Sequence, residues 1–451
     1  MRNTLILLVI ALALGAYVYF YEIKGGQKRE KQKEYAAKLV HFEKDSVEQI
    51  QIKSPFEKFV FHRSANGWDI AEPVQTGADD SPINTLLTSL KNAKKERSFS
   101  IGPSEKDQYG VGNRATRIVL SLMNGQKDSL ILGNNSNIGS NVYAAKVDTQ
   151  VHLTAATVKT NANKSLFDWR DKKAIHFDKS NVREFTLKNR HGRFTFKKDG
   201  NQWKITEPIE TDGEKSKIDA VLNKLDFGRI KSVVAEKAGR LSEYDLYRPA
   251  YEIELFLGPE KAKKRVMFSK LEENQAFGKD GVRPHIFTVD SNFIKPLAPN
   301  LFNFRDKQVV TFDKNQVDRL NLLYDGQLYR LSKDTSDTWK DDSGRKAKTF
   351  NVNSVLNAFK NLEAERFVKE NPRYLMPYGL VNPEGKVEVF AGDDKLAELD
   401  IGYQKGDIVY IRNPRKDAVM AIKPDKLDQL FPEQDEIIQP VKKEAEETDS
   451  E

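Results

Sequence analysis

The sequence contains no cysteine, and this absence excludes several kinds of chemistry at once. Disulfide bonds, thiolate metal sites and cysteine nucleophiles are ruled out, as is the lipid-modified cysteine of a bacterial lipoprotein. The six histidines are His41, His62, His152, His176, His191 and His285. None belongs to an HExxH pair or lies near an acid with the spacing of a zinc site. We therefore expect no metal and no other cofactor.

The familiar catalytic signatures are also missing. The chain has no Gly-x-Ser-x-Gly elbow, no Walker A loop and no Gly-x-Gly-x-x-Gly loop. The stretch 109–115 has two glycines but lacks a third at the required place. We therefore expect no enzyme and nominate no catalytic residue. One alternative stays open, because two carboxylates that work as acid and base come together in space and not in sequence.

Charge of one sign does not dominate the chain. Its 73 basic residues are interleaved with 66 acidic ones, which leaves a net charge of +7. This pattern is typical of a well-solvated surface and predicts no nucleic-acid partner. Binding of an anionic polymer is a weaker alternative, and such binding would have to weaken with salt.

Long hydrophobic runs are absent except at the N-terminus. Thr4–Tyr21 is a stretch of 18 residues without a charge, and as a helix it would be about 27 Å long, close to the thickness of a bilayer core. Aromatic residues at positions 17 and 19–21 crowd one end, as interfacial aromatics do. We predict a transmembrane signal anchor at 1–23 and a Lys-rich stalk at 24–40. Ala11-Leu12-Ala13 has the form of a signal-peptidase site, so a cleaved signal peptide remains the alternative.

The flanking charges conflict over the orientation of this segment. Arg2 precedes it, whereas six lysines and arginines follow between positions 24 and 38. The positive-inside rule would place the C-terminal side in the cytoplasm. A short N-terminal tail before a large folded remainder is instead the layout of a signal anchor. We predict an inner-membrane protein with one span and most of its chain in the periplasm.

One motif occurs three times. His41–Val47 returns as His176–Val182 and as Thr311–Val317, each 135 residues after the last. Such a period indicates one folding unit used three times. We predict repeats at 41–175, 176–310 and 311–435, followed by a disordered acidic tail at 436–451.

Each repeat shows the same order of patterns. A hairpin precedes a tryptophan strand, an amphipathic helix, a tyrosine turn and several further strands. In the first helix, Ser81 and Pro82 suggest an N-cap and a first-turn proline. The fold class is therefore α+β, with three tandem repeats of about 135 residues, each a mostly antiparallel sheet with one main helix.

Three aromatic positions recur in the repeats. They are Phe42, Phe177 and Phe312, then Trp68, Trp203 and Trp339, then Tyr109, Tyr244 and Tyr378. Because each recurs at an equivalent place, we interpret them as structural repeat positions, with the tryptophans in the cores. The Phe-acid-Lys motif is interpreted as the start of a strand with its lysine in water.

Two of these motifs resemble those of a known family. The Trp-x-Ile-x-x-Pro strand stands at Trp68–Pro73 and Trp203–Pro208, and a Tyr-Gly-Leu-x-x-Pro turn at Tyr378–Pro383. With the N-terminal segment that ends in tyrosines, they make the chain similar to bacterial proteins of the DUF4340 family. The second repeat departs from the turn motif, because it has Tyr244-Asp245-Leu246. The resemblance implies a membrane-associated protein found beside ABC-type transport and gliding components, and it supplies no catalytic residues.

We expect, on this basis, a membrane-anchored extracytoplasmic binding or scaffold protein, an accessory of an ABC-type transport or gliding and envelope complex. Its partners would be the membrane and envelope proteins, and the sequence does not identify a small-molecule ligand. The alternative is an envelope polysaccharide-processing enzyme whose carboxylate site is not visible in the sequence.

Overall fold

The computed structural model describes residues 25–137, 139–146 and 150–440, and also Ile10, Leu12, Leu14, Gly15, Tyr17 and Tyr19. Most of the predicted anchor at 1–23 and most of the predicted acidic tail thus lie outside the described residues. Within the described part, no helix has both the length and the apolar character that a bilayer crossing needs. The anchor stays a prediction.

The chain forms two compact units. The first consists of Met1–His176, Phe227–Arg248 and Phe268–Ser291. The second consists of Phe177–Asp226, Pro249–Met267 and Asn292–Glu451. The first repeat therefore lies in the first unit and the third repeat in the second, whereas segments of the second repeat occur in both.

The first repeat is a nine-stranded sheet with one main helix. Its elements are α1 Gly25–Ala37, β1 Val47–Lys53, β2 Lys58–Ser64, β3 Gly67–Glu72, β4 Thr76–Gly77, α2 Asp80–Asn92, β5 Arg97–Ser100, β6 Thr116–Leu122, β7 Lys127–Asn135, β8 Asn141–Ala145, β9 Gln150–Ala155, α3 Thr157–Ala162 and α4 Leu166–Trp169. The strand order is β4-β3-β2-β1-β6-β7-β8-β9-β5. Strand β5, which follows the helix, thus pairs at the far edge beside β9, and its register aligns Arg97 with Leu153.

The helix α2 packs on the sheet through the stripe that its spacing predicts. Ile83, Leu86, Leu87 and Leu90 are all fully buried in the first core. The predicted N-cap was wrong, because Asp79 holds that position and its side chain accepts a hydrogen bond from the Ser81 backbone. Asp and Ser are about equally good N-cap residues, and the helix starts from the earlier of the two.

The second repeat has the same order of elements. They are β10 Val182–Asn189, β11 Gly192–Asp199, β12 Gln202–Glu207, β13 Thr211–Gly213, α5 Lys215–Phe227, β14 Ser232–Ala235, β15 Tyr251–Leu257, β16 Ala262–Phe268, β17 Gln275–Asp280, β18 Ile286–Asp290, α6 Ser291–Ile294 and α7 Leu301–Phe304. Within the second unit the strands run β13-β12-β11-β10-β15. Within the first unit they run β17-β18-β14.

The third repeat lies wholly in the second unit. Its elements are β19 Arg319–Tyr324, β20 Gln327–Lys333, β21 Trp339–Asp341, α8 Thr349–Lys360, β22 Arg366–Glu370, β23 Gly385–Ala391, β24 Asp394–Lys405, β25 Ile408–Arg412, β26 Ala418–Ile422, α9 Asp425–Leu430 and α10 Gln434–Ile437. The strand order is β21-β20-β19-β23-β24-β25-β26-β22. The three antiparallel sheets, with one main helix each, confirm the prediction of three sheet-rich repeats.

Two segments extend the cores beyond the predicted repeats. Leu39 and Val40, which the prediction assigns to the stalk, are buried in the first core. Ile437 and Ile438, which it assigns to the acidic tail, are buried in the third core. Composition points to a polar stalk and tail, but these two apolar pairs have core surface within reach, and burying them is favourable.

Candidate functional site

The nine aromatic positions from the sequence are spread over the repeats and do not converge on one place. Trp68, Trp203 and Trp339 are all buried, which agrees with their interpretation as core residues. Phe42 and Phe312 are buried, whereas Phe177 is half-buried. They belong to packing, and functional chemistry must be sought elsewhere.

The three tyrosines are half-buried and pair with an aromatic ring on a neighbouring strand. Tyr109 lies 5.0 Å from Tyr143 between ring centres. The equivalent pairs are Tyr244 with Phe277 at 5.5 Å and Tyr378 with Tyr410 at 5.2 Å. The tyrosine turn is thus held by the same edge-to-face contact in every repeat.

An arginine joins the first repeat to the second, inside the first unit. Arg170 follows α4, is only 1% exposed, and donates two hydrogen bonds to Glu236, at 2.7 and 2.8 Å. Among the residues that the structure describes, none hydrogen-bonds to its Nε and Nη1 atoms. Removing a guanidinium from water costs free energy unless the group is paired. The contact with Glu236 therefore constrains both repeats.

A second arginine completes this first junction, which we define as Arg170, Asp171, Glu236 and Arg283. The Arg283 guanidinium donates to Asp171 at 3.2 Å and to the carbonyls of Lys173 and Ala174, at 2.7 and 2.6 Å. Its Nε also donates to Asp280 at 2.9 Å. The loop between β17 and β18 is thereby fastened to the end of the first repeat.

A cleft of about 560 Å³ opens beside this junction, and we call it the first cleft. Asp69, Asp80 and Asp171 contribute carboxylates to its wall, and Arg229 contributes a cation. Nε2 of His176 lies 2.5 Å from Oδ2 of Asp171. Charges of both signs therefore face the same space.

Two titratable groups, one in the first junction and one beside it, have shifted pKa values. Burial raises the pKa of Asp171, but hydrogen bonds from His176 and the Lys173 backbone lower it more, so the pKa lies below the ordinary value. Burial lowers the pKa of His285 to about 4, and the cations of Arg283 and Arg170 add to this shift. Its Nε2 atom is buried, and no residue in the described part of the chain hydrogen-bonds to it. His285 is therefore neutral at pH 7.

The second junction repeats this arrangement inside the second unit, and comprises Arg305, Asp306, Glu370 and Lys416. Arg305 is 7% exposed and pairs with Glu370 through both terminal nitrogens. The guanidinium also stacks on Phe367, 3.4 Å from the ring centre. Arg305 and Arg170 are 135 residues apart, and Glu370 and Glu236 are 134 apart, so this is the same contact built twice.

Lys416 takes the place of Arg283 in this junction. It donates to the Gln308 carbonyl. Burial lowers the pKa of Lys416, and the carboxylates of Asp306 and Asp212 offset part of this shift. The Lys416 ammonium thus donates to one carbonyl at the place where the Arg283 guanidinium donates to two carboxylates and two carbonyls.

The second cleft, about 670 Å³, opens beside these residues. Lys204 lines it and pairs with Asp212 at 2.6 Å. Asp69 holds the equivalent position in the first cleft, 135 residues earlier. The two clefts thus occupy equivalent places, but a single aspartate in the first corresponds to a paired lysine and aspartate in the second.

Neither cleft is built as a metal site. Among the residues that the structure describes, no group of three or more histidine, aspartate and glutamate side chains could hold a metal ion. The prediction that the protein needs no cofactor stays a prediction.

The sequence reasoning missed the residues of both junctions. Arg170 and Arg305 lie in the repeated endings Leu166–Lys172 and Leu301–Lys307, which look like ordinary boundaries between secondary-structure elements. The shared spacing of Glu236 and Glu370 was the available signal, because it matches the spacing of the second and third tyrosine turns. Arg283 and Lys416 gave no such signal, since the residue type changes between them.

The chain matches the protein-family model described as "Domain of unknown function (DUF4340)" over residues 68–227, 203–372 and 343–441. The first two matches begin at Trp68 and Trp203, so the family unit follows the same period as the repeats. No curated protein matches the chain.

Solved structures give only a faint likeness. A DNA polymerase sliding clamp from Pseudomonas aeruginosa with ligand is 6% identical, with 87% of this chain and 95% of that chain covered and a TM-score of 0.15. A DNA polymerase III subunit beta sliding clamp from Bartonella birtlesii is 8% identical, with 86% and 93% covered and a TM-score of 0.14. At such scores the likeness carries no argument about fold or function.

Proposed function

Since the chain belongs to the DUF4340 family, we propose that it is a single-pass membrane-anchored protein that binds or scaffolds a partner outside the cytoplasm. Its place would be that of an accessory in an ABC-type transport complex or a gliding and envelope complex. The proposal joins an address, taken from the N-terminal sequence, to a binding role, taken from the repeat junctions.

The observation that carries the binding role is the pair of equivalent clefts. Each has walls from two successive repeats, and a buried arginine that pairs with a more exposed glutamate joins these repeats. Volumes of about 560 and 670 Å³ lie within the range of ligand and side-chain pockets. A cleft whose walls are fixed beforehand loses little entropy when it binds, which favours a binding function.

The different wall residues favour different contacts. Asp69 would attract a cation in the first cleft, whereas the Lys204–Asp212 pair would offer a donor and an acceptor in the second. Each cleft would thus select its own contact.

The address rests on the N-terminal sequence. Thr4–Tyr21 is uncharged, and Leu39 is already buried in the first core. The chain between the two is short and includes the helix α1. This arrangement would hold the first repeat close to a bilayer surface.

Crosslinking in native membranes tests the binding role. A photo-crosslinker at Asn66, which lines the first cleft, should recover an envelope protein. The charge reversal Asp69→Lys should reduce that yield, whereas the exposed control Asp393→Lys should not. A crosslinking yield that does not change when the wall residue is replaced, or crosslinks only within the chain itself, would contradict the proposal.

Protease accessibility tests the address separately. In spheroplasts, added protease should digest the repeats of the intact chain. Digestion that requires lysis would place the repeats in the cytoplasm and overturn this part of the proposal.

A polysaccharide-processing enzyme is the second candidate, and the first cleft supplies its observation. Asp69, Asp80 and Asp171 line one space together with His176, as an acid and a base would. Release of reducing ends from envelope polysaccharide, lost in Asp80→Asn and Asp171→Asn, would support it. No release by the wild-type chain over pH 4–9 would rule it out.

A further inference from the structure

The tyrosine turn of the second repeat departs from the other two. In the first and third repeats the tyrosine is followed by a glycine in the left-handed region, Gly110 at φ 66° and Gly379 at φ 72°. In the second repeat Asp245 takes this place at φ 56°. The turn keeps its backbone shape and gains a charged side chain.

A glycine on the neighbouring strand lets the turn pack closely in the first and third repeats. A Cβ atom on Gly133 would lie 2.2 Å from the carbonyl oxygen of Tyr109, and one on Gly402 would lie 2.0 Å from that of Tyr378. No larger residue fits at such a distance without moving the turn. The close contact therefore requires glycine on the strand.

The next side chain on the strand covers the turn. A Cβ atom on Gly110 would lie 2.5 Å from Oδ1 of Asn134, and one on Gly379 would lie 2.5 Å from Cδ1 of Tyr403. The glycine in the turn is thus as necessary to the contact as the glycine on the strand. With both present, the turn and the strand lie in direct contact.

The second repeat lacks both glycines. Four consecutive buried residues end at Gly133, Ser269 and Gly402 in the three repeats, so Ser269 is the equivalent of the strand glycines. Its hydroxyl accepts a hydrogen bond from the Phe277 backbone at 3.0 Å and donates one to the Lys270 carbonyl at 2.8 Å. Because Asp245 and Ser269 both carry a Cβ, the close packing of the other repeats is excluded.

A cavity of about 850 Å³ lies between this turn and the strands, entirely within the first unit. Tyr244 and Phe277, in edge-to-face contact, form part of its lining. The ring pair that supports the turn elsewhere here faces an open space. Such aromatic surfaces attract cations.

The rim of the cavity is acidic. Glu243, Asp245, Glu272 and Glu273 line it, and Lys270 is its one cation. Glu272 pairs with Lys270 at 3.0 Å, and within the described chain no salt bridge joins the other three carboxylates to a cation. The lining therefore has a net charge of −3 in a protein whose net charge is +7.

We propose that this cavity binds an organic cation, a protonated amine or guanidinium on an apolar chain. The carboxylates would pair with the charged head, and the rings of Tyr244 and Phe277 would contact its apolar stem. A free polyamine and a lysine or arginine side chain of a peptide share this chemistry. The site does not depend on the membrane address or on the clefts.

Calorimetric titration of the purified full-length chain tests the site, with spermidine and a blocked five-residue Lys/Arg peptide as the two probes. At least one should bind saturably at 150 mM salt. Binding of spermidine alone identifies a free amine as the ligand, and binding of the peptide alone identifies a side chain.

A variant designed to close the cavity, the closing variant, distinguishes binding in the cavity from general electrostatic attraction. Asp245→Gly, Ser269→Gly and Lys270→Tyr together rebuild the turn of the third repeat and should weaken binding about tenfold or more. Glu243→Gln with Glu273→Gln should weaken it about tenfold. The control Glu57→Gln with Glu260→Gln makes the same charge change at exposed residues elsewhere and should leave binding within about twofold.

Circular dichroism melting would show that each variant is folded. Full affinity in the closing variant, or equal losses in the control, would overturn the proposal. So would the absence of saturable binding of both probes to the wild-type chain.

Discussion

The first and second junctions use the same arginine–glutamate pair in different surroundings. Arg170 in the first junction is almost completely buried, near His285. Arg305 in the second stacks on Phe367. At the ladder position of His285 the third repeat has Ala418, because Ile286 and Val419 pair with equivalent residues of β14 and β22.

The arginine–glutamate pair is common to both junctions, whereas the residues around it differ. The pair itself recurs because each repeat must be fixed to the next. The neighbours vary, and with them the response to pH, since a neutral buried histidine stands beside one arginine and an aromatic ring beside the other.

Removing the arginine should have the largest effect and show whether the two junctions are equally important. We expect Arg170→Ala to lower the free energy of unfolding by about 4 kcal/mol, because it leaves a cavity where a fully buried side chain packed and removes two hydrogen bonds to Glu236. Arg305→Ala should lose about 3 kcal/mol, since its site is slightly more exposed. Urea unfolding followed by tryptophan fluorescence measures both. The exposed control Arg330→Ala should change little, and a loss below about 1 kcal/mol for Arg170→Ala would refute the shared role.

Mild acid should destabilise the first junction selectively. The pKa of His285 is about 4 in the folded chain, against about 6.5 when unfolded. Between these values the unfolded chain binds more protons, so stability falls as the pH drops from about 7 to 4, by up to about 3 kcal/mol. His285→Ala should remove most of this slope, whereas His191→Ala, at an exposed site, should retain it. Melting temperatures at pH 4 to 7 decide the matter, and an unchanged slope in His285→Ala would contradict it.

Replacing the two loop cations should sharpen the contrast. Arg283→Ala removes donors to Asp171, Asp280 and two carbonyls, and we expect a loss of about 2 kcal/mol. Lys416→Ala removes one hydrogen bond from an amine that is already costly to bury, so its loss should stay below about 1 kcal/mol. Equal losses in urea unfolding would show that the second junction depends on its lysine as much as the first depends on its arginine.

Strong acid should reveal the smallest effect, at Asp171. Its pKa lies below the ordinary value in the folded chain, so its contribution is present above about pH 4 and is lost as the pH falls through the folded pKa. Asp171→Asn should flatten the stability profile below pH 4, with a smaller effect than the other changes. The exposed control Asp393→Asn should keep the wild-type profile. A difference that persists unchanged at pH 2 would mean that the residue acts through its shape and not its charge.

Much of the fold could be predicted from the sequence because its signals are local. The stripe of Ile83, Leu86 and Leu90 predicts a helix and its buried face, and both are observed. The helix start was misplaced, because Asp79 and Ser81 are both good caps and local pattern does not choose between them. Leu39 and Ile437 were misassigned for a related reason, since composition does not show which core a short apolar segment can reach.

The candidate site was mostly invisible, because its residues meet only through folding. Glu236 and Arg283 lie far from Arg170 in the chain, and no local pattern links them. The cavity in the second repeat could not be predicted from the sequence for a different reason. Asp245 in place of a glycine looked like a blurred motif, and its meaning depends on Ser269 on another strand.

The sequence by itself determined the period, the order of elements, the aromatic core positions and the absence of cysteine chemistry. These properties follow from residue types and from spacings within one helix or strand. Only the tertiary structure decided which charges are buried together at the junctions and where packing leaves a cavity. Both depend on side chains that strand pairing and loops bring within a few ångströms, and such proximity is set by the fold as a whole.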